Sequence, residues 1–159
     1  MDANRLRFVQ ALEEFTDREL ALLASVMHVR QYVGGEYVFR KGDRANACYI
    51  VLAGDIEVQV AGSGRQMNTV ANLTPGRMFG EISLVDGGLR SANCRAGHGG
   101  AELCLLGRNE FDQIFNAGNA FAYKLLDLIG ERVVENVRRA AGELLTVVFK
   151  ERGNVLNRL

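Results

Sequence analysis

The spacing of apolar and polar positions divides the chain into three regions, of which the first is helical. Between Arg5 and Val29 apolar residues recur at helical intervals, and the pattern breaks near Thr16-Asp17. Thr16 suits a helix N-cap because Glu19 follows it by three residues. The pattern predicts that residues 1–30 form short N-terminal helices.

The second region, residues 31–107, alternates apolar and polar residues with a period of two, as in the stretch from Ile56 to Val60. Turn signals interrupt it at Gly42-Asp43, Gly54-Asp55 and Gly62-Ser63-Gly64. The glycine cluster at positions 97–100 is interpreted as a further, solvated turn. Short strands with frequent turns predict an antiparallel β-roll of the jelly-roll kind.

The third region, residues 108–150, returns to helical spacing. It predicts a long amphipathic helix from Ala120 to Lys150, with a break near Gly142 compatible with the pattern. The predicted fold class is α+β, mainly β: a β-roll flanked by short N-terminal helices and a long C-terminal helix. We expect residues 1–159 to form a single domain, because the tail ERGNVLNRL is too short for a helix-turn-helix unit.

Composition narrows the classes of function. The chain has 48% apolar and 24% charged residues, as ordinary soluble proteins do. Lys plus Arg and Asp plus Glu are equal at 19 each, so no basic excess indicates a nucleic-acid partner. No apolar run is long enough to span a bilayer, and the N-terminus lacks the apolar core of a signal peptide. We expect no membrane partner and a cytoplasmic location.

Metal and enzyme chemistry are not expected either. The cysteines and histidines are few and widely separated, which gives no metal-ligand spacing and no cluster for phosphoester hydrolysis. The cysteines are interpreted as small buried apolar residues. We expect no enzyme, no catalytic residues, no metal and no cofactor. The residues concerned are Cys48, Cys94, Cys104, His28 and His98.

The stretch FGEISLVDGGLRSANCRA, residues 79–96, carries the most specific chemistry. Gly80 lets a ligand approach the backbone, and the residues after it suit a short helical turn with free N–H groups. Arg90 offers a planar fork for phosphate oxygens, with the Ser91 hydroxyl beside it. Glu81, an acceptor when ionised, suits a sugar hydroxyl. On spacing alone, an exposed ion pair between Glu81 and Arg90 remains an equal alternative.

The stretch resembles the phosphate-binding cassette of the cyclic-nucleotide-binding domain family. That family includes bacterial catabolite activator proteins, kinase regulatory subunits and cyclic-nucleotide-gated channels. The matching residues are FGEISL at 79–84 and RSA at 90–92, and GD at 42–43 and YIVLAGDIEV at 49–58 agree. The likeness covers Leu6 to Arg139. It identifies the chain as a catabolite-activator-like sensor domain without the DNA-binding domain.

The resemblance implies a set of ligand-binding residues. Residues 79–92, called the cassette below, would hold the ribose and phosphate, and two valines would form an apolar wall. Asn136 falls near the position that reads the purine in bacterial activators, where the family usually has hydroxyl residues. The implied site residues are Phe79, Gly80, Glu81, Ile82, Ser83, Arg90, Ser91, Ala92, Val58, Val70 and Asn136.

The ligand implied is cAMP or cGMP, and cAMP is favoured because the order Arg-Ser-Ala resembles bacterial cAMP receptors. A hydroxyl after the arginine also occurs in cGMP sites of kinases, and an amide at position 136 suits either base. The expected function is a regulatory module that signals to a partner protein, or within a dimer, through movement of its C-terminal helix. The alternative is the ligand-sensing part of a transcription factor.

A possible homodimer follows from the apolar seam of that helix, which lies near heptad spacing. The same seam is also compatible with packing on the chain's own β-roll. Its members are Leu126, Ile129, Val133, Val137, Ala140, Leu144 and Val147.

Overall fold

The computed structural model of the chain describes residues 1–62, 66–116 and 120–156. Two compact units are distinguished, one from Met1 to Tyr123 and one that begins at Lys124. The first unit contains the whole β-sheet and every residue of the cassette. The second consists of the greater part of the C-terminal helix.

The N-terminal region confirms the predicted helix cap. Helix α1, Asp17–Val26, begins with a capping box: the Glu19 N–H donates to the Thr16 hydroxyl, and the Thr16 N–H donates to the Glu19 carboxylate at 2.7 Å. Two separate 3-10 turns, Ala3–Leu6 and Gln10–Leu12, precede it where the spacing predicted a short helix before the break at Thr16-Asp17. Each turn buries one leucine, so even these short segments contribute to the core.

In the part of the chain that the structure describes, the sheet has six strands, all antiparallel, which confirms the predicted β-roll. The strands are β1 His28–Tyr32, β2 Tyr37–Phe39, β3 Ala47–Ala61, β4 Met67–Leu73, β5 Met78–Phe79 and β6 Asn93–Gly107. The strands β3 and β6, fifteen residues each, pair along their length. Strands β1 and β2 pair with β6, while β4 and β5 pair with β3.

Two predicted turns lie inside strands instead. Gly54-Asp55 is in the middle of β3, and residues 97–100 are within β6. A Cβ added to Gly54 would lie 2.1 Å from the Gly100 carbonyl oxygen, so the glycine permits close approach of two strands where the pairing is irregular. Of the predicted turn Gly62-Ser63-Gly64, residues 63 and 64 lie outside the described residues.

Three aromatic rings fill the roll interior near the cassette. The Tyr49 and Phe79 rings stack with centroids 5.2 Å apart, and the Phe39 ring lies 5.8 Å from Tyr49 and 5.9 Å from Phe79. Such pairs contribute about 0.5–1.5 kcal/mol each beyond the area that they bury. The three rings therefore form a rigid apolar cluster next to the cassette.

The described residues contain three further α-helices, one between β5 and β6 and two after β6: α2 Ile82–Asp86, α3 Arg108–Asn116 and α4 Ala120–Leu156. Helix α4 continues through Gly142 and ends beyond the predicted Lys150, so the break near the glycine does not occur. The Phe15 and Phe121 rings meet edge to face at 5.8 Å, which anchors the start of α4 within the first unit. No helix in the described ranges has the length and apolar character needed to cross a bilayer.

Along the predicted seam of α4, Ile129 is buried whereas Val137 and Ala140 are exposed. The side chains of Leu144 and Val147 lie outside the described residues. Exposed valines at positions 134 and 137 and an exposed leucine at 145 leave apolar surface on this helix. Dimerisation through the seam stays a prediction.

Candidate functional site: a buried arginine in the cassette

The Arg90 side chain is the centre of the cassette, and only 4% of the residue is exposed. Its Nη1 donates to the Gly80 carbonyl oxygen at 3.0 Å, and its Nη2 donates to the Ala47 carbonyl oxygen at 2.6 Å. The guanidinium carbon lies 4.1 Å from the Phe39 ring centroid and 5.6 Å from that of Tyr49. Carbonyl oxygens and ring faces both attract a cation, so these groups orient the guanidinium.

The backbone of Arg90 is held by the Gly42-Asp43 turn. The Gly42 N–H donates to the Arg90 carbonyl oxygen, and the Arg90 N–H donates to the Asp43 carbonyl oxygen, both at 2.9 Å. The Gly42-Asp43 turn that the sequence predicted therefore holds the backbone of the cassette arginine in place. The turn and the arginine are almost fifty positions apart in the sequence.

Gly80 is required at its position for two reasons. Its φ of +74° lies in the left-handed region that side chains disfavour. A Cβ there would lie 2.6 Å from Nη1 of Arg90, which is too close for the guanidinium to stay where it is. Because the glycine backbone is bare, the arginine can reach the Gly80 carbonyl oxygen.

Glu81 is 3% exposed and lies between Gly80 and the start of α2. The Leu84 N–H donates to its carbonyl oxygen at 3.0 Å, which forms the helical turn predicted after the glycine. Because Glu81 and Arg90 are both buried, the alternative of a solvent-exposed ion pair is wrong. Burying two charged side chains costs free energy. A folded chain therefore retains buried charges only where polar groups surround them.

Two cysteines lie in the electrostatic field of this pair. Burial raises the pKa of the Cys48 thiol to about 12, and the Glu81 charge adds to the rise. Burial also raises the pKa of Cys94 to about 12, with Arg90 opposing and Glu81 adding to the shift. Burial likewise raises the pKa of Cys104 to about 12. These buried, protonated thiols agree with their interpretation as small apolar residues.

The other predicted cassette residues have different exposures. Phe79 is buried in the aromatic cluster, whereas Ile82 at the start of α2 is 41% exposed. Ser91 is exposed and Ala92 half-buried, beside Arg90 in the chain. The side chain of Ser83 lies outside the described residues. The cassette thus combines buried residues, Phe79, Glu81 and Arg90, with the more exposed Ile82, Ser91 and Ala92.

The two predicted wall valines are not equivalent. Val58 is half-buried and packs on the core cluster that contains Tyr49 and Phe79. Opposite it on β4 is Ala71, and the next pair is Gln59 with Thr69, so Val70 is an extra residue in a bulge. Val70 is 59% exposed. On the β4 side, the direct neighbour of Val58 is therefore Ala71.

Asn136 lies in the second unit, on α4. It is half-buried, and its Oδ1 accepts a hydrogen bond from Arg139 Nη2 at 2.7 Å. Its role in base reading stays a prediction.

The sequence pattern does not predict several of the residues that contact Arg90. Ala47 acts through its carbonyl oxygen, which every residue type has. Phe39 and Tyr49 would be assigned to the core from their spacing. The YIVLAGDIEV motif, which begins at Tyr49, is the signal that could have indicated the ring beneath the guanidinium.

A cavity of about 320 Å³ lies in the first unit beside the partners of Arg90, between the roll and the start of α3. Ala47 and Tyr49 are in its wall, whereas the predicted site residues are not among those that line it. Its lining residues are Arg30, Tyr32, Asn46, Ala47, Tyr49, Leu105, Gly107, Arg108, Asn109 and Glu110. Within the described part of the chain, no three His, Cys, Asp or Glu side chains are grouped as a metal site.

The sequence profile of the cyclic nucleotide-binding domain matches residues 29–117. The chain therefore belongs to the cyclic nucleotide-binding domain family, and the identification made from the cassette motifs is confirmed.

Two curated relatives of this chain are named for different cyclic nucleotides. The cyclic AMP receptor protein of Thermus thermophilus is 34% identical over 136 residues, which cover 86% of this chain and 61% of the receptor. The human cGMP-dependent protein kinase 2 is 28% identical over 111 residues, covering 69% of this chain and 15% of the kinase. The chain thus spans about three fifths of the first relative and a small part of the second.

Among solved structures, the regulatory domain of Toxoplasma gondii PKA, co-crystallised with cAMP, has a TM-score of 0.69 to this chain. The two are 25% identical, and the alignment covers 84% of this chain and 48% of the other.

Proposed function

We propose that this chain binds a cyclic nucleotide at the cassette, with Arg90 on the cyclic phosphate and Glu81 on a ribose hydroxyl. The observation that carries the proposal is the buried Arg90 guanidinium, fixed by backbone carbonyls and aromatic rings directly beside Gly80. Membership of the cyclic nucleotide-binding domain family supports the same ligand class.

The electrostatics of Arg90 favour an anionic ligand. Burial lowers the pKa of the guanidinium, because the charged form has been removed from water. A phosphate in contact with the guanidinium would offset part of that desolvation cost, and the attraction would be strong because the guanidinium is buried. The fixed orientation reduces the side-chain entropy lost when the ligand binds.

Glu81 serves a different part of the ligand. An ionised carboxylate accepts hydrogen bonds only, so it suits a ribose hydroxyl and repels the phosphate. Gly80, directly before Glu81, has no Cβ, and the space this leaves lets Nη1 of Arg90 lie against the cassette backbone next to the carboxylate residue. Val58, beside the aromatic cluster, supports the apolar wall that the sugar or base would face.

We favour cAMP over cGMP. The order Arg90-Ser91-Ala92 resembles that of bacterial cAMP receptors, and the Thermus relative bears the name cyclic AMP receptor protein. The exposed Ser91 hydroxyl also supports contact with a guanine amino group, and a cGMP-dependent kinase is among the relatives. Direct comparison of the two ligands decides between them.

For the output, we propose movement of the C-terminal helix that is coupled to the ligand and read by a partner protein or a second copy. Exposed apolar side chains on α4 at positions 134, 137 and 145 support a contact surface there. In this proposal, residues 1–159 act as one functional domain. The alternative, a sensing part of a transcription factor, is supported by the greater length of the Thermus relative.

The test is calorimetric titration of the wild-type protein with cAMP and with cGMP, followed by Arg90→Ala. We expect that variant to lose about 2–5 kcal/mol of binding free energy, because it removes one partner of a buried charged contact. Arg7→Ala is the matched control, since it removes an exposed arginine that pairs with Asp17. Circular dichroism checks the fold, and Arg90→Lys provides a second variant that keeps the charge.

Three results bear on the proposal. Wild-type affinity in a folded Arg90→Ala protein would place the ligand elsewhere. The absence of heat with both nucleotides would reject the function. Affinity for cGMP at least tenfold above that for cAMP would reverse the proposed preference.

A further inference from the structure

Two arginines contact the backbone around the cassette helix α2, one just before the helix and one at its middle residue. Arg90 Nη1 donates to the Gly80 carbonyl oxygen, just before the helix, at 3.0 Å. Arg108 Nη1 donates to the Leu84 carbonyl oxygen, in the helix itself, at 2.6 Å. The helix has only five residues and few internal hydrogen bonds, so these two contacts help to fix its position, together with the fully buried Leu84 side chain.

The same two arginines are also anchored to neighbouring residues at the start of β3. The Ala47 carbonyl oxygen accepts from Arg90 Nη2 at 2.6 Å, and the Asn46 carbonyl oxygen accepts from the Arg108 N–H at 2.7 Å. A displacement of the Arg90 guanidinium by a ligand would therefore act on the chain segment that also holds Arg108.

Arg108 connects this network to helix α3, of which it is the first residue. Its Nε donates to both carboxylate oxygens of Asp112, at 3.0 and 3.1 Å, one helical turn further on. With Nε directed at Asp112 and Nη1 at Leu84, one planar guanidinium joins α3 to α2. A lysine has a single ammonium and cannot reproduce both directions.

The ion pair itself adds little to stability. The Arg108 and Asp112 side chains are 39% and 45% exposed, and pairs of this kind at positions i and i+4 are weak and screened by salt. The geometry of the Arg108–Asp112 pair is therefore better explained as a way of orienting Arg108. Asp112 fixes the rotamer of the arginine, and this directs Nη1 at the Leu84 carbonyl oxygen.

We propose that Arg108 is a positioning residue that links α2 to α3, so that nucleotide binding at Arg90 and the conformation of α3 depend on each other. This inference rests on the proposed function for its ligand. Linkage requires the dependence to be reciprocal: a change in α3 alters nucleotide affinity by the same factor by which the nucleotide alters α3.

The experiment uses the full chain as wild type and as Arg108→Gln, Arg108→Lys and the control Arg7→Gln. Amide hydrogen exchange is followed in α2 and α3 without ligand and with cAMP, and calorimetry gives cAMP affinity. Without ligand, we expect faster exchange in both helices of Arg108→Gln, and wild-type exchange there in Arg7→Gln. With ligand, we expect the cAMP-dependent change in α3 to be lost and the affinity to fall about 5-fold or more.

The lysine variant separates positioning from charge, since it keeps the cation but not both contacts. We expect partial rescue of the α2 exchange and none of the cAMP-dependent change in α3. Full rescue of both would overturn the geometric argument.

Failure of the proposed function can be distinguished from failure of this link. A wild-type protein that binds neither cAMP nor cGMP rejects the function, and exchange without ligand then tests the link alone. Wild-type exchange of α2 and α3 in Arg108→Gln would overturn the link whatever the ligand. So would an unchanged cAMP-dependent response of α3, or equal effects in Arg7→Gln.

Discussion

Replacing Gly80 with alanine tests the geometry of the cassette most directly. The left-handed φ of +74° costs an alanine about 1–2 kcal/mol. The new methyl group would also lie 2.6 Å from Nη1 of Arg90. In solvent the end of an arginine would move aside freely. Here the guanidinium is buried, and moving it breaks a charged hydrogen bond worth about 1.5–3 kcal/mol. We therefore expect Gly80→Ala to be destabilised by both costs.

Two other glycines separate these costs. Gly35 has a φ of +79°, but no atom of the described residues lies within 4 Å of an added Cβ, so Gly35→Ala reports the backbone cost alone. At Gly99 an added Cβ again meets no described atom within 4 Å, and φ is outside the left-handed region. Gly99→Ala should change stability by less than about 1 kcal/mol. All three positions lie in the first unit.

Urea unfolding gives the three stabilities, and calorimetry gives the three affinities for cAMP. We expect Gly80→Ala to be the least stable, Gly35→Ala intermediate and Gly99→Ala close to wild type. Only Gly80→Ala should lose affinity, by about tenfold or more, since one lost charged contact exceeds 1.4 kcal/mol. If Gly80→Ala matched Gly35→Ala in stability and bound cAMP like the wild type, Arg90 would not be held against Gly80 as described.

The remaining predictions concern the carboxylate, the helix cap and the thiols. Glu81→Gln should weaken cAMP binding, and should matter less for 2′-deoxy-cAMP, since that ligand lacks the hydroxyl; equal losses for both ligands in calorimetry would contradict the ribose contact. Thr16→Ala should lower the free energy of unfolding by about 1 kcal/mol through loss of the capping box, measured by urea denaturation. The exposed Ser25→Ala is its control, and equal losses in the two variants would argue against the cap. The buried thiols should react with a thiol reagent at pH 8 only on unfolding, and rapid labelling of the native protein would show that they are accessible. Burial raises the pKa of these thiols from 9.0 to about 12; they are Cys48, Cys94 and Cys104. Their contribution to the free energy of unfolding is therefore complete below pH 9 and is lost as the pH rises toward 12. Unfolding curves at several pH values would measure this loss.

Signals that act over a few residues were read correctly from the sequence. The Thr16 cap depends on a partner three positions away, so the spacing contains the whole interaction. The helical turn after Gly80 is equally local. The order of the cassette was sufficient to identify the family, because Gly80, Glu81 and Arg90 occur in one continuous stretch.

Glycines were harder to interpret, because one residue type serves different purposes. Gly54 has the same sequence signature as a turn glycine, a following aspartate included. Its purpose is instead the close approach to Gly100, a residue 46 positions later. Likewise, nothing near Val70 announces the bulge that gives Val58 a different neighbour, since a bulge depends on the register of the partner strand.

The pair Glu81 and Arg90 illustrates why the chemistry of the site needed tertiary structure. An acid and a base nine positions apart occur on many protein surfaces, and the residue types are the same whether they are exposed or buried. Burial distinguishes the two cases, because each buried charge costs several kcal/mol unless other groups solvate it. For Arg90 those groups include the Ala47 carbonyl oxygen and the Phe39 ring, which come from separate strands or strand ends. Removing this support should therefore impair binding even where the arginine itself is retained.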